Sequence, residues 1–526
     1  MNSILLKDGR IIDGTGSPWF RGDIALENGE IAAVGQSLDF QADRTVELDG
    51  EVIAPGFIDI HSHSDLPLLA DGRAESKVRQ GVTTEVIGNC GSSPAPIYES
   101  GRQELAGEMA ERFGLELSWS AYDEFLEELE KQKTGVNKVS LVGHGAIRRA
   151  VMGDEDRRPD DGELEEMKEI LAGALQSGAA GFSSGLIYPP SAYAGTDELI
   201  ELARTAARAG GYYATHMRHE GENLLKGIKE AIAVGREAEI PVQISHHKVA
   251  DRQSWGLSEK SLALIEKARR EGVDITFDVY PYLATSTGLS ALLPDWAHEG
   301  GREKMKDRLE NDDERKKIAS YLREKGARRG WDNIYIASTN IDKFSDLTGR
   351  NLQEAGEMME LKPARAVMEI LRQETARVGM IGFAMCEEDL HRIISHRCAM
   401  VGSDGSALAA SGVLRRGKPH PRSFGTFPRV AGPFVRDEKL FPLEEAVFKM
   451  TGFPAWRLGL SRRGLIREGL AADLVVFSPD EIEDRADFDD PHRYPAGIKM
   501  VIVNGEIVVE EGHHTGKRPG QLLRSC

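Results

Sequence analysis

The chain has only four cysteines in 526 residues, Cys90, Cys386, Cys398 and Cys526. Four thiols spread over this length make no disulfide framework, and a reducing cytoplasm fits. Cys90 is left free for something other than a staple. Basic surplus is also lacking. Lys and Arg number 66 against 85 Asp and Glu, for a net charge of −19. Nothing neutralises a phosphate backbone, so nucleic acid is not expected as a partner. The global sign says little about a small substrate, because a pocket can carry the opposite charge. No uninterrupted apolar run is long enough to cross a membrane. The start, Met1-Asn2-Ser3-Ile4-Leu5-Leu6-Lys7-Asp8-Gly9, lacks the basic head and apolar core of a signal peptide. A cytoplasmic protein off the membrane is the expectation.

What is present begins with Phe57-Ile58-Asp59-Ile60-His61-Ser62-His63. The first four residues read as a buried strand. Side chains two apart on a strand share a face, so His61 and His63 point the same way and can grip one cation. Two imidazoles at a strand end suit zinc or a similar divalent metal. Alone, His-X-His is as well explained by two satisfied histidines on a half-exposed strand. The rest of the chain supplies matching residue types at other strand ends.

Apolar strand-like runs alternate with amphipathic helical stretches through the middle of the chain. Candidate strands end near His63, Cys90, His144, Gly185, His216, His246, Asp278 and Asp404. Helical stretches between them include Glu163–Ser177, Thr196–Ala209, Glu222–Ala238 and Ser258–Glu271, with Thr196 read as an N-cap. Strand–helix alternation implies a parallel sheet, and about eight such units suggest a closed (β/α)8 barrel. The rival is an open doubly wound sheet, weakened because no Gly-X-Gly-X-X-Gly follows the first strand. Asn28-Gly29 and Asn504-Gly505 each lie between β-like runs, a strong hairpin signal. Both ends therefore read as one small β-sandwich domain, residues 1–55 plus 465–526, flanking a barrel over 56–464. The segment at about 287–340 breaks the rhythm and reads as an insertion near the barrel mouth. A further apolar run, Gly379–Met385, is one strand more than the barrel needs.

In a parallel barrel the C-terminal strand ends converge on one mouth, where active sites sit. Cys90, His216, His246 and Asp404 all fall at such ends. Each has a plain alternative: a buried cysteine is usually a small hydrophobe, a lone histidine a core residue, an Asp before Gly a turn residue. Their joint placement with His61 and His63 favours a metal site. His144 also ends a strand but has no matching role, and it reads as packing or support. His247, beside His246, points to the opposite face.

The motifs Ala54-Pro55-Gly56-Phe57-Ile58-Asp59-Ile60-His61-Ser62-His63, Gly88-Asn89-Cys90-Gly91, Gly185-Leu186-Ile187-Tyr188-Pro189-Pro190, Thr215-His216-Met217-Arg218, Ser245-His246-His247-Lys248, Gly402-Ser403-Asp404-Gly405 and Pro419-His420-Pro421-Arg422 resemble the D-aminoacylase (N-acyl-D-amino-acid deacylase) family of the amidohydrolase superfamily. The likeness covers nearly the whole chain. It implies zinc-dependent hydrolysis of the amide bond of N-acyl-D-amino acids, small-molecule substrates. It implies a tight Zn2+ site of Cys90, His216 and His246, with Cys90 in place of the carboxylated lysine of many relatives. It implies His61 and His63 at a second, weaker metal position, and Asp404 as the catalytic acid and base. Tyr188, Lys248 and Arg422 are implied to hold the substrate carboxylate, with a hydroxyl from Ser286 or Thr285. The family shows an acidic residue three positions after the histidine matching His216; here that position is His219, followed by Glu220.

Two other readings stand beside this one. A cyclic-amide hydrolase like dihydroorotase or hydantoinase would bridge two metals with a modified lysine, and no lysine here takes that place. A non-catalytic scaffold would have lost ligands, whereas all six are retained. The preferred side chain is open: an apolar pocket would suit D-leucine, D-methionine or aromatic residues, and a basic one acyl-D-glutamate or acyl-D-aspartate, with Arg415 and Arg416 as candidates for the basic case.

Overall fold

The computed structural model describes residues 3–374 and 378–524; Cys526 lies outside the described residues. Eight parallel strands form the expected barrel: Phe57–Asp59, Val82–Ile87, Asn137–Ser140 continuing as Val142–Gly143, Gly181–Gly185, Tyr212–His216, Val242–Ile244, Ile275–Val279 and Ala399–Val401. All are buried, as strands covered on both faces must be; several read as apolar runs, whereas Asn137–Ser140 and Gly181–Gly185 bury polar side chains as well. The ring closes just past the first and eighth strands. There Asp404 N donates to His61 O and His63 N donates to Gly405 O, each at 2.8 Å. Below this seam the buried Lys77 ammonium donates to Asp59 (2.6 Å) and Ser403 Oγ (2.8 Å), tying the two strands together.

Helices pack on the outside with one apolar stripe. Thr196–Arg208 buries Leu199, Leu202, Ala203 and Ala206, spaced three and four apart. Its N-cap is Gly195 rather than Thr196, because the Thr196 hydroxyl donates instead to Glu230 (3.0 Å). Asp161–Gln176 starts on a true capping box: Glu163 N donates to Asp160, and Asp160 N to Glu163, both at 2.8 Å.

The two chain ends build one continuous nine-stranded sheet, joined where Val52–Pro55 pairs antiparallel with Leu474–Phe477. The Asn-Gly turns have positive φ at both residues, as a type I′ hairpin requires. The sheet folds back until these turns meet. Ala472 N donates to Gly29 O and Gly505 N to Ala472 O, each at 2.9 Å. Alternate residues split the burial: Leu474 and Val476 face the domain's own core, while Val475 and Phe477 face the barrel.

The inserted segment carries its own core and a three-stranded antiparallel sheet of Ala284–Gly288, Gly379–Phe383 and Ile334–Ser338, in that spatial order. Gly379–Phe383, the surplus strand of the sequence reading, is its centre. By strand pairing the insertion runs from Ala284 to Phe383, beyond the 287–340 read from the sequence. No helix among the described residues is long and apolar enough to cross a membrane.

Candidate active site

His61, His63, Cys90, Tyr188, His216, His246, Lys248 and Asp404 stand at C-terminal barrel-strand ends or just past them. Ser286 comes from the insertion strand Ala284–Gly288 and Arg422 from the start of the helix Arg422–Arg429; all of them meet at one mouth. The turn carrying Cys90 is held close to its neighbour. A Cβ on Gly88 would meet Leu141 O at 1.9 Å, and Gly88 has φ +77°, so only glycine fits. Cys90, His246 and Asp404 themselves have φ of +53°, +37° and +50°. Such left-handed backbone in non-glycine residues is strained and persists where surroundings impose it, typically at functional sites.

Cys90 Sγ lies 3.4 Å from His246 Nε2, 3.7 Å from His216 Nδ1 and 3.4 Å from His61 Nε2. His61 Nε2 and His63 Nε2 lie 3.5 and 3.0 Å from Asp404 Oδ1. Two overlapping donor groups result, Cys90–His216–His246 and His61–His63–Cys90–Asp404, and the thiol belongs to both. The sequence reading placed it in the first alone.

Carboxylates behind the rings orient them. Asp278 Oδ1 stands 3.1 Å from His61 Nδ1 and accepts from His246 N (2.8 Å). Glu220 lies 3.1 Å from His246 Nδ1 and 3.6 Å from His216 Nε2, and it accepts from Lys248 Nζ at 2.6 Å. Glu220, not His219, is thus the acid that reaches the rings; it stands four residues after His216, in the loop that follows the strand. Asp278 marked a candidate strand end in the sequence but was given no role there; it lies in the strand Ile275–Val279.

These neighbours set the charge states. Burial alone would raise the Cys90 thiol, yet the His61 and His246 rings outweigh it and hold its pKa well below the usual thiol value. Burial also opposes the charge on Asp404, but Arg422 at 2.7 Å, His246 and the His63 hydrogen bond keep the carboxyl well below its ordinary range. Glu220 is likewise held low, against burial, by Lys248 and His216.

The substrate-facing candidates line the same space. Adjoining cavities of about 1120 and 950 Å3 share Asp404, Arg422 and Ser286; the second also holds Cys90, His216, His246, Tyr188 and Lys248. Arg422 pairs with Asp404, donates to Ser286 O (3.3 Å) and stacks over Tyr280 at 4.9 Å. Tyr188 OH meets Thr287 Oγ1 at 2.9 Å, whereas Thr285 turns into the sheet toward Gly382 O. Thr285, Ser286 and Thr287 all line the second cavity with Tyr188. His144 is a buried support: Nδ1 lies 2.7 Å from Ser191 Oγ and Nε2 2.9 Å from Glu198, which Arg148 also binds. His247 is buried away from the rim, on Ser261. Arg415 is exposed and outside these cavities, and Arg416 lines only the first, bonding backbone oxygens of Val413 and Glu111.

A barrel of this build with a cysteine–histidine–carboxylate rim is the architecture of a metal-dependent hydrolase. The amidohydrolase family model matches residues 44–328 and 415–509. The chain is 37% identical over 524 residues to a D-aminoacylase of Alcaligenes xylosoxydans xylosoxydans, covering 99% of this chain and 97% of the relative. It superposes with TM-score 0.84 and 35% identity on an N-acyl-D-glutamate deacylase from Bordetella bronchiseptica, covering 99% of each chain; that enzyme was solved with zinc and a phosphonate mimic of the tetrahedral intermediate. An L-hydantoinase of Arthrobacter aurescens shares the fold alone, at 16% identity and TM-score 0.57 over both full chains. The chain belongs to the amidohydrolase family, in its D-aminoacylase branch.

Proposed function

We propose that this chain hydrolyses the amide bond of N-acyl-D-amino acids with the help of zinc, giving a carboxylate and a free D-amino acid. One observation carries the metal part. Sulfur and nitrogen donors about 2.3 and 2.0–2.1 Å from one tetrahedral ion stand about 3.6 Å apart. Cys90 lies 3.4 and 3.7 Å from the facing nitrogens of His246 and His216. The separations fit an ion at that centre, and the thiol held low by its neighbours is the ligating form. Cys90, His216 and His246 would hold the tight ion, with His61, His63 and Asp404 offering a second position that shares Cys90. When bound, such an ion supplies Lewis-acid polarisation of a carbonyl and activation of water at neutral pH.

The chain's own residues account for the rest. Asp404 is kept ionised beside the donors, so it can accept a proton from water and return it to the leaving amine. Arg422 fixes Asp404 through one arm and adds positive charge beside the cavity. Lys248, anchored on Glu220, and Tyr188, anchored on Thr287, complete a cradle for a carboxylate. The relatives' D-amino-acid substrates support the stereochemical part of the reading.

The cyclic-amide alternative is disfavoured by the same geometry. The shared donor here is Cys90 sulfur, and the lysines beside the site are committed, Lys248 to Glu220 and Lys77 to Asp59. The deciding experiment is a panel of N-acetyl-D- and N-acetyl-L-amino acids, hydantoin and dihydroorotate, assayed on protein of measured zinc content. Turnover of linear D substrates, with L and cyclic ones far slower, is expected. Hydrolysis of the cyclic amides alone would sink the proposal.

A further inference from the structure

Eight Lys and Arg side chains line the cavity that holds Cys90, His216 and His246. Six of them sit on carboxylates. Arg149, Arg218, Lys248, Arg302, Arg328 and Arg422 each have an Asp or Glu oxygen at 3.3 Å or closer. Lys325 and Arg329 differ. Among the described residues, neither has a carboxylate within ion-pair distance.

Both come from the insertion helix Asp312–Arg329, four residues apart and so on one face. Lys325 is half-buried. Its Nζ donates to Ala291 O (3.1 Å) and lies 5.3 Å from the Tyr321 ring centroid. A partly desolvated ammonium whose direct contacts are a carbonyl and a ring lacks a paired counterion. Burial, then the neighbouring Arg329, push it down to about 8, with Asp295 opposing.

The position links this pair to the chemistry. Ala291 belongs to the turn Leu289–Leu292, which directly follows the strand Ala284–Gly288. That strand brings Ser286 O to Arg422 and Thr287 to Tyr188. One wall therefore runs from the proposed α-carboxylate cradle to the free cations, inside a cavity of about 950 Å3.

We propose that Lys325 and Arg329 form a second anion subsite, and that the preferred substrates are N-acyl-D-amino acids bearing a second negative charge besides the α-carboxylate. The inference rests on the deacylase reading above. The second charge sits either on the amino-acid side chain or at the end of the acyl group, and the cation pair recognises the same chemistry in both.

The test measures kcat/KM for four substrates on the zinc-loaded full chain: N-acetyl-D-leucine, N-acetyl-D-glutamate, N-acetyl-D-aspartate and N-succinyl-D-leucine. The wild type should favour at least one dianionic substrate over N-acetyl-D-leucine. Glutamate or aspartate as the winner places the charge on the side chain, and the succinyl compound places it on the acyl group. The dianion-to-monoanion ratio should fall about tenfold in Lys325→Met, recover in Lys325→Arg, and shrink as salt is added. A wild-type ratio at or below one, with N-acetyl-D-leucine still hydrolysed, would overturn the inference and spare the deacylase reading. So would a ratio unchanged in both Lys325→Met and Arg329→Met. Absence of turnover on every N-acyl-D-amino acid would overturn both.

Discussion

Among the described residues, cysteine and histidine cluster compactly at the barrel mouth and again at its opposite end, and the two places behave in opposite ways. One is Cys90–His216–His246 at the mouth. The other is Glu266–His396–Cys398, where the helix Ser258–Arg270 packs at the start of the eighth strand. At the mouth, carboxylates stand behind the rings and the thiol is drawn far down by imidazoles. At the other end, Glu266 is taken by both arms of Arg397, at 2.8 and 2.5 Å. Both nitrogens of His396 are occupied, one by Cys398 N at 3.2 Å and the other by Glu266 at 3.1 Å. Burial pushes the Cys398 thiol up. Both places thus set a cysteine and histidine side by side with a carboxylate in reach. What separates the proposed ligand set from a packing cluster is the charge around it: anions behind the histidines at the mouth, cations around the acid at the base.

Four substitutions sharpen or break that contrast. The broadest effect is expected from Cys90→Ser, which removes the sulfur shared by both donor groups; zinc retained after dialysis and activity should both fall, each by about 100-fold or more. Asp404→Asn should keep its zinc and lose about 10²–10⁴-fold in kcat, since the proton acceptor is gone while the tight donors stay. Zinc retention with near-normal turnover would remove Asp404 from the mechanism. Glu220→Gln should cost about 10- to 100-fold in metal affinity or activity, read by competition with a chelator, because the groups holding His246 and Lys248 loosen. Cys398→Ser should change zinc content and kcat less than about twofold. A loss comparable to that of Cys90→Ser would erase the distinction between the clusters.

Much of this was legible before any coordinates. Parallel strands buried on both faces write themselves as apolar runs, and a polar ligand type at the end of each stands out. That is how His63, Cys90, His216, His246 and Asp404 mark strand ends, and how Asn28-Gly29 and Asn504-Gly505 betray one domain built from both ends. Periodicity could not place Gly379–Phe383, because a short apolar strand looks alike in a barrel and in an insertion sheet. Glu220 and Asp278 carried no local signal of their roles; those depend on which rings the fold sets in front of them. Thr196 looked like a cap until Glu230, on the next helix, offered its hydroxyl a better acceptor. The free pair Lys325 and Arg329 was invisible in a helix crowded with charge, where only the missing partners distinguish them.

The central claim is that Cys90 sulfur binds the ion that His216 and His246 also hold. Zinc-edge X-ray absorption on the loaded protein tests it directly. The account predicts one sulfur at about 2.3 Å beside nitrogen at about 2.0–2.1 Å in the wild type, with the sulfur shell gone in Cys90→Ser. A wild-type spectrum with nitrogen and oxygen neighbours alone would contradict it.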